Sequence, residues 1–207
     1  KGDKLAEYAR KYGLGSKTNI DLPSEKSGLV PSDSWKRKNL NQGWYPGDSV
    51  NLSIGQGSLL TTPVQIASLI SAVAAEGTAY QPQIVKEIKN PKGETVEKFE
   101  PEININLKEE INDRVFSALK EGMHDVVNKN YGTAFRHFVG FPLTAAGKTG
   151  TAQTGGANHA WFGGFAPYEN PQIAVVVFIE NGGSSAYSVP IAREIMEYYF
   201  GFKNHHN

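Results

Sequence analysis

Gly147-Lys148-Thr149-Gly150-Thr151-Ala152-Gln153 is the stretch from which the rest of the chain is read. Glycine and alanine leave its face open, while one ammonium and two hydroxyls project from it. It reads as a small-residue strand. After a turn at residues 154–158 comes His159-Ala160-Trp161-Phe162-Gly163-Gly164-Phe165-Ala166-Pro167, and after Pro171 comes Ile173-Ala174-Val175-Val176-Val177-Phe178-Ile179-Glu180. Three short apolar runs separated by turn residues predict an antiparallel meander with the chemistry on its first strand.

Gly-Lys-Thr also invites a phosphate-binding loop. That motif needs a glycine five positions before the Gly of Gly-Lys-Thr, and a helix after it. The position is Pro142, which has no N–H for a phosphate, and the residues that follow run as a strand. The nucleotide reading fails on both counts. What remains for Lys-Thr-Gly is the chemistry of serine acyl-transfer enzymes that bind β-lactams.

The composition sets the outer limits. A chain of 207 residues fits one domain, or most of one. Lys+Arg and Asp+Glu balance at 21 each, so nothing points to nucleic acid or to a polybasic membrane contact. There is no cysteine, hence no disulfide framework, thiol chemistry or Cys-based metal site. No apolar run reaches the roughly 18 residues of a membrane span, and no signal peptide opens the chain. The sequence starts in what reads as a helix already under way.

Residues 3–12 carry Leu5, Tyr8, Ala9 and Tyr12 at helical spacing, with Gly13 and Gly15 as the stop. From 16 to 48 the pattern dissolves into Pro, Gly, Ser and Asp around isolated apolar anchors, and long irregular structure is expected. Residues 53–57 form a turn into a helix: Thr62 is the N-cap, Pro63 the first helical residue, and Gln65 completes a capping box. That helix, 63–76, is apolar nearly all round and therefore buried, and Gly77 ends it. Residues 83–99 form a peripheral hairpin about the type I turn Asn90-Pro91-Lys92-Gly93. An amphipathic helix over 108–127 shows a stripe of Ile111, Val115, Leu119, Met123 and Val126, with Phe116 at its edge. A loop over 128–141, containing Tyr131-Gly132-Thr133-Ala134, leads into the meander. A last helix over 189–200 carries Ile191, Ala192, Ile195, Met196 and Tyr199. Helices flanking an antiparallel sheet predict an α+β domain.

Several stretches together carry a resemblance. They are Tyr12-Gly13-Leu14-Gly15 with Ile20-Asp21-Leu22-Pro23; Trp44-Tyr45-Pro46-Gly47-Asp48; Ile54-Gly55-Gln56-Gly57 with Thr62-Pro63-Val64-Gln65; residues 147–152; His159-Ala160-Trp161-Phe162 with Phe165-Ala166-Pro167; and Glu180-Asn181-Gly182-Gly183. On these the chain resembles the C-terminal part of the transpeptidase domain of class B penicillin-binding proteins, closest to the elongation-specific penicillin-binding protein 2 type. The resemblance implies part of a penicillin-binding transpeptidase fold, which is serine β-lactamase-like.

The family carries Ser-x-x-Lys, Ser-x-Asn and Lys-Thr-Gly in that order, and only the third stands in its place here. Ser117-Ala118-Leu119-Lys120 and Ser49-Val50-Asn51 fit the first two patterns, but in reversed order, and Ser117 falls on the polar face of its helix. Both are read as coincidences. Residues 1–207 are expected to be the C-terminal portion of one transpeptidase domain, without its nucleophile.

The resemblance implies a serine D,D-transpeptidase of bacterial cell-wall elongation. It cross-links peptidoglycan stem peptides through an acyl-enzyme and is the target of β-lactam antibiotics. Lys148 would supply electrostatic and proton-network support. Thr149 and Thr151 would hold the carboxylate of the stem peptide or β-lactam, and the Thr151 N–H would form half of the oxyanion hole. Gly150 would let the substrate backbone come close. No cofactor or metal is implied. The partners implied are stem peptides, β-lactams and a membrane glycan polymerase, at the periplasmic face of the cytoplasmic membrane through an N-terminal anchor outside this chain. The alternatives are a hydrolytic relative (a β-lactamase or D,D-carboxypeptidase) or a penicillin-binding sensor. His159 is read as a structural strand-start residue, Trp161 and Phe162 as core and cleft wall, and His205 and His206 as a polar tail.

Overall fold

The structure, a computed structural model, describes residues 2–202; His205 and His206 lie outside them. Helix α1 (Gly2–Lys11) is stopped by Gly13 and Gly15, both at positive φ. Ala6 is its buried residue, while Leu5 and Tyr8 of the expected stripe are exposed.

The stretch expected to be irregular contains two helices, α2 (Asp33–Leu40) and α3 (Pro46–Ser53). Helix α2, DSWKRKNL, has no apolar stripe for periodicity to detect. Its ends mark it instead. Ser32 Oγ accepts the Trp35 N–H at 3.1 Å, and Asn41 closes the helix at φ 52°. In α3, Pro46 takes the first turn and the Asp48 carboxylate accepts the Tyr45 N–H at 2.7 Å. The buried Lys36 reaches from α2 to Asp48 at 2.6 Å and lies over the Tyr45 ring. That ammonium, with the Tyr45 N–H, holds the Asp48 carboxyl below the usual carboxylate range.

Helix α4 (Pro63–Ala74) starts as the sequence predicts. Gln65 N–H donates to Thr62 Oγ1 at 3.3 Å and Gln65 Oε1 accepts the Thr62 N–H at 2.9 Å. The same side chain then donates to the carbonyls of Ser16 and Ser27, so the cap also pins two loops to the central helix. Gly77, at φ 105°, ends the turn beyond α4.

Strand β1 (Thr78–Tyr80) follows, then the predicted hairpin of β2 (Glu87–Lys89) and β3 (Thr95–Lys98), closed by Gly93 N–H to Asn90 O at 2.9 Å. Strand β4 (Ile103–Asn106) pairs antiparallel with β1, a sheet the sequence did not disclose because each strand has only three or four residues. Asp21 clasps the hairpin to the body by accepting the N–H groups of Ile84 and Val85 at 2.8 and 2.9 Å.

Helix α5 (Asp113–Asn128) begins later than expected, where Asn112 Oδ1 caps the Arg114 N–H. Its buried face is also turned from the expected one. Phe116 is fully buried, with Lys120 and Val127 beside it, whereas Val115 is 47% and Leu119 42% exposed. A short helix α6 (Phe135–Phe138) precedes β5 (Ala146–Ala152), β6 (His159–Ala166) and β7 (Ile173–Ile179). These pair antiparallel in the order β5-β6-β7, the predicted meander. Helix α7 (Ser188–Tyr199) buries Val189, Ala192 and Met196 and leaves Ile191, Ile195 and Tyr199 exposed, so most of its expected stripe faces outward.

Two cores clamp the meander. On one face Phe162, Val175 and Val177 meet Val127, Phe138, Val189, Ala192 and Met196. On the other, Ala146 and Phe165 meet Ile70 and Ala74 of α4. The domain is α+β, an antiparallel sheet flanked by helices, as its pattern requires.

Candidate active site

Strand β5 is made of small residues because the Phe162 ring of β6 lies across it. A Cβ at Gly147 would collide with that ring, with Cε2 at 2.8 Å. The register is regular, with Lys148 opposite Gly163, Thr149 opposite Phe162, and Thr151 opposite Ala160. Side chains alternate along a strand. Lys148 and Gly150 therefore face the α4 side, and Thr149 and Thr151 the side of Phe162 and α7. A Cβ on Gly150 would stand 3.2 Å from Trp161 Cβ, so a neighbouring side chain of this chain also limits that position.

β5 is the first strand of its sheet, so one of its edges pairs with no strand among the described residues. The Thr149 carbonyl accepts from Lys148 Nζ at 2.7 Å, and the Thr151 carbonyl from Gln56 Nε2 at 3.2 Å. Both carbonyls thus point away from β6. In an antiparallel ladder a residue sends its N–H and C=O to the same side. The N–H groups of Thr149 and Thr151 therefore face outward too, beside the ammonium. The Lys148 side is exposed, and among the described residues its ammonium meets a carbonyl, with no carboxylate to neutralise it.

Thr149 is only 9% exposed, and its Oγ1 lies 2.7 Å from Thr133 Oγ1. Thr151 is exposed. Residues Lys148, Thr149, Gly150 and Thr151 thus form one continuous edge, as the strand pattern demanded. Thr133 and Gln56 are additions to it. Both stood in stretches noticed in the sequence, but no spacing rule connects a loop 16 residues away, or a turn 95 residues away, to this strand. A cavity of about 290 Å³ lies not over Lys148 but beside Gln56, between Trp35, Trp44, Lys36, Asp48 and Asn51.

The serine patterns read as coincidences are engaged elsewhere. Ser117 is exposed on α5, its Oγ donating to the Asp113 carbonyl at 3.0 Å, while Lys120 is buried against Glu76 at 2.8 Å. Ser49 Oγ accepts the Trp44 indole N–H at 2.9 Å. His159 opens β6, and its Nδ1 accepts the Asn181 N–H at 3.0 Å, a strand-end tie. Phe162 is core, and Trp161 packs on Phe178 with ring centres 4.4 Å apart.

The family model for the penicillin binding protein transpeptidase domain matches residues 1–197. The chain belongs to that family. Among its relatives, the peptidoglycan D,D-transpeptidase MrdA of Haemophilus influenzae is 34% identical over 95% of this chain and 32% of that protein. The Escherichia coli K12 protein of the same name is 31% identical over 95% of this chain and 33% of its own length. Solved structures agree in fold. Pseudomonas aeruginosa PBP2 in complex with WCK 5153 superposes with a TM-score of 0.82 at 36% identity, over 95% of this chain and 42% of that one. The complex between PBP2 and MreC from Helicobacter pylori gives a TM-score of 0.79 at 32% identity, over 97% of this chain and 36% of that chain. This transpeptidase-family chain therefore spans about a third of the length of the curated relatives it matches. Among its described residues no helix is long and apolar enough to cross a membrane.

Proposed function

We propose that this chain is the C-terminal portion of the transpeptidase domain of a peptidoglycan D,D-transpeptidase of cell-wall elongation. In the complete protein, a serine supplied by the upstream portion attacks the carbonyl of the penultimate D-Ala of a stem peptide. The terminal D-Ala leaves with its amine protonated, and an amine from a neighbouring stem resolves the acyl-enzyme. A β-lactam follows the first half of this course and stays bound.

The observation that carries the reading is the outward edge of β5, which presents the Thr149 and Thr151 N–H groups with the Lys148 ammonium on one flank, no carboxylate among the described residues pairing with it, and the two threonine hydroxyls on the other. The Thr151 N–H stabilises the oxyanion as one of two donors. The threonine hydroxyls hold the ligand carboxylate, and Lys148 supplies a favourable field and a proton network for the serine. Two further features fit a domain continued upstream. The outer edge of β7 pairs with no strand among the described residues, and α7 turns Ile191 and Ile195 outward. By likeness to the solved complex, MreC is a partner, together with a membrane glycan polymerase. An N-terminal anchor would place the domain at the periplasmic face. The hydrolytic alternative would deacylate rapidly, whereas the transpeptidase holds a penicilloyl group for long periods.

Thr149→Val and Thr151→Val in the complete protein test the carboxylate assignment. Each deletes a charge-assisted hydrogen bond of about 1.5–3 kcal/mol. Acylation by a β-lactam free acid should slow more than acylation by its ester, and an unchanged ester-to-acid ratio in both variants refutes the assignment. The chain alone, incubated with a penicillin, should show no covalent adduct by mass. A stoichiometric adduct on Ser117 or Ser49 would make one of them the nucleophile.

A further inference from the structure

Thr133 belongs to none of the three motifs, yet among the described residues it makes the one side-chain hydrogen bond to Thr149. It sits at the mouth of the site, exposed, with its hydroxyl 2.7 Å from that of the nearly buried Thr149. Its place is fixed from two sides. A Cβ on Gly132 would collide with the carbonyl oxygens of Val126 and Asp125, the latter at 2.5 Å, so the loop presses directly on the last turn of α5. On the other side Ala134 is fully buried, and its N–H donates to Val126 O at 3.0 Å. The end of α5 is in turn tied to the start of β5, because Asn128 Nδ2 donates to the Ala145 carbonyl at 2.7 Å. Loop and strand are thus held at one separation by contacts that do not involve either hydroxyl.

A hydroxyl has one proton to give and two lone pairs to receive with, whereas an ionised carboxylate only accepts. If Thr149 holds a carboxylate, its single proton is spent on that ligand. The bond between the two threonines must then run from Thr133 to Thr149. Resting on the transpeptidase reading above, we infer that Thr133 is a positioning residue: it donates to Thr149 Oγ1 and so turns the Thr149 proton toward the ligand carboxylate. The chain of Thr133, Thr149 and carboxylate polarises in one direction, which strengthens the final bond. With the Thr133 hydroxyl removed, the Thr149 proton loses the partner that orients it.

The test uses the complete protein with Thr133→Val, which keeps the shape, and Thr133→Ser, which keeps the hydroxyl. Second-order acylation rates are measured with a β-lactam free acid and with its methyl ester. Thr133→Val should lower the acid-to-ester ratio by about 2- to 12-fold, the range for one neutral hydrogen bond. Thr133→Ser should stay near the parent ratio. In a Thr149→Val background, Thr133→Val should produce no further change, since the proton it orients is gone. A Thr133→Val protein that loses acid and ester rates equally, or an effect that simply adds to that of Thr149→Val, would show a structural role and overturn the inference. So would a ratio that does not move. If the parent protein is acylated by neither compound, the transpeptidase reading falls and this inference with it. If Thr149→Val shifts the ratio and Thr133→Val does not, only the inference falls.

Discussion

Replacing Lys148 with alanine in the complete protein is expected to slow acylation by about 10²- to 10³-fold, the scale on which single electrostatic stabilisers act in acyl transfer. Lys148 is exposed on this chain, but it stands at the strand edge where charge would develop, and among the described residues no carboxylate offsets it. Covered by the upstream part of the domain, the same ammonium would act through less water and with correspondingly greater force. Its contact with the Thr149 carbonyl also ties it to the strand that carries the oxyanion donor. Stopped-flow acylation with a chromogenic β-lactam measures the effect. A Lys148→Ala protein within about threefold of the parent rate would remove the ammonium from the chemistry. Lys148→Arg separates charge from shape, because guanidinium keeps the charge but not the compact geometry.

The second large effect is on stability. Phe162 is fully buried, stands opposite Thr149, and lies with its ring 5.9 Å from that of Phe138. Two glycines make room for it, since a Cβ at Gly147 or Gly164 would meet its ring at under 3 Å. Phe162→Ala leaves a void that the two glycines, having no side chains, cannot fill, and should cost about 3–5 kcal/mol. The measurement is the urea midpoint of the complete protein, with the slope of the transition unchanged. A loss below about 1 kcal/mol would mean that the sheet collapses onto the space. Acylation of the surviving folded fraction should also slow, because the ring supports the strand on which Thr149 and Thr151 sit.

What the sequence disclosed was whatever is encoded locally. The cap of α4 needs only Thr62, Pro63 and Gln65, and the hairpin turn only Asn90 to Gly93, so both were legible. The meander was legible because its three apolar runs are interrupted by strong turn residues. The four residues of the β5 edge followed from the strand itself. Helix α2 was missed because its side chains are mostly polar and charged, and only its capping residues distinguish it from a loop. The rotations of α5 and α7 have a different origin. Each helix carries two sets of apolar residues, and the sheet beneath decides which set is buried. In α5 the choice fell on Phe116 and Val127 because those positions face the cores, whatever stripe the sequence displays. Thr133 and Gln56 became visible only when distant segments were brought against β5.

The outer edge of β7 bears on how the isolated chain behaves in a test tube. Ile173-Ala174-Val175-Val176-Val177-Phe178-Ile179 has no charge and no proline, and among the described residues only β6 is bonded to it. A bare strand of this kind is a template for other strands, and a seven-residue uncharged run rich in β-branched residues is the composition that stacks into fibrils. On the reading proposed above, the upstream portion of the domain would cover that edge, and in its absence two copies of the chain would be expected to pair there with each other. The isolated chain is therefore expected to associate through this edge as its concentration rises, and a short peptide that pairs with Ile173–Ile179 should keep it monomeric in sedimentation.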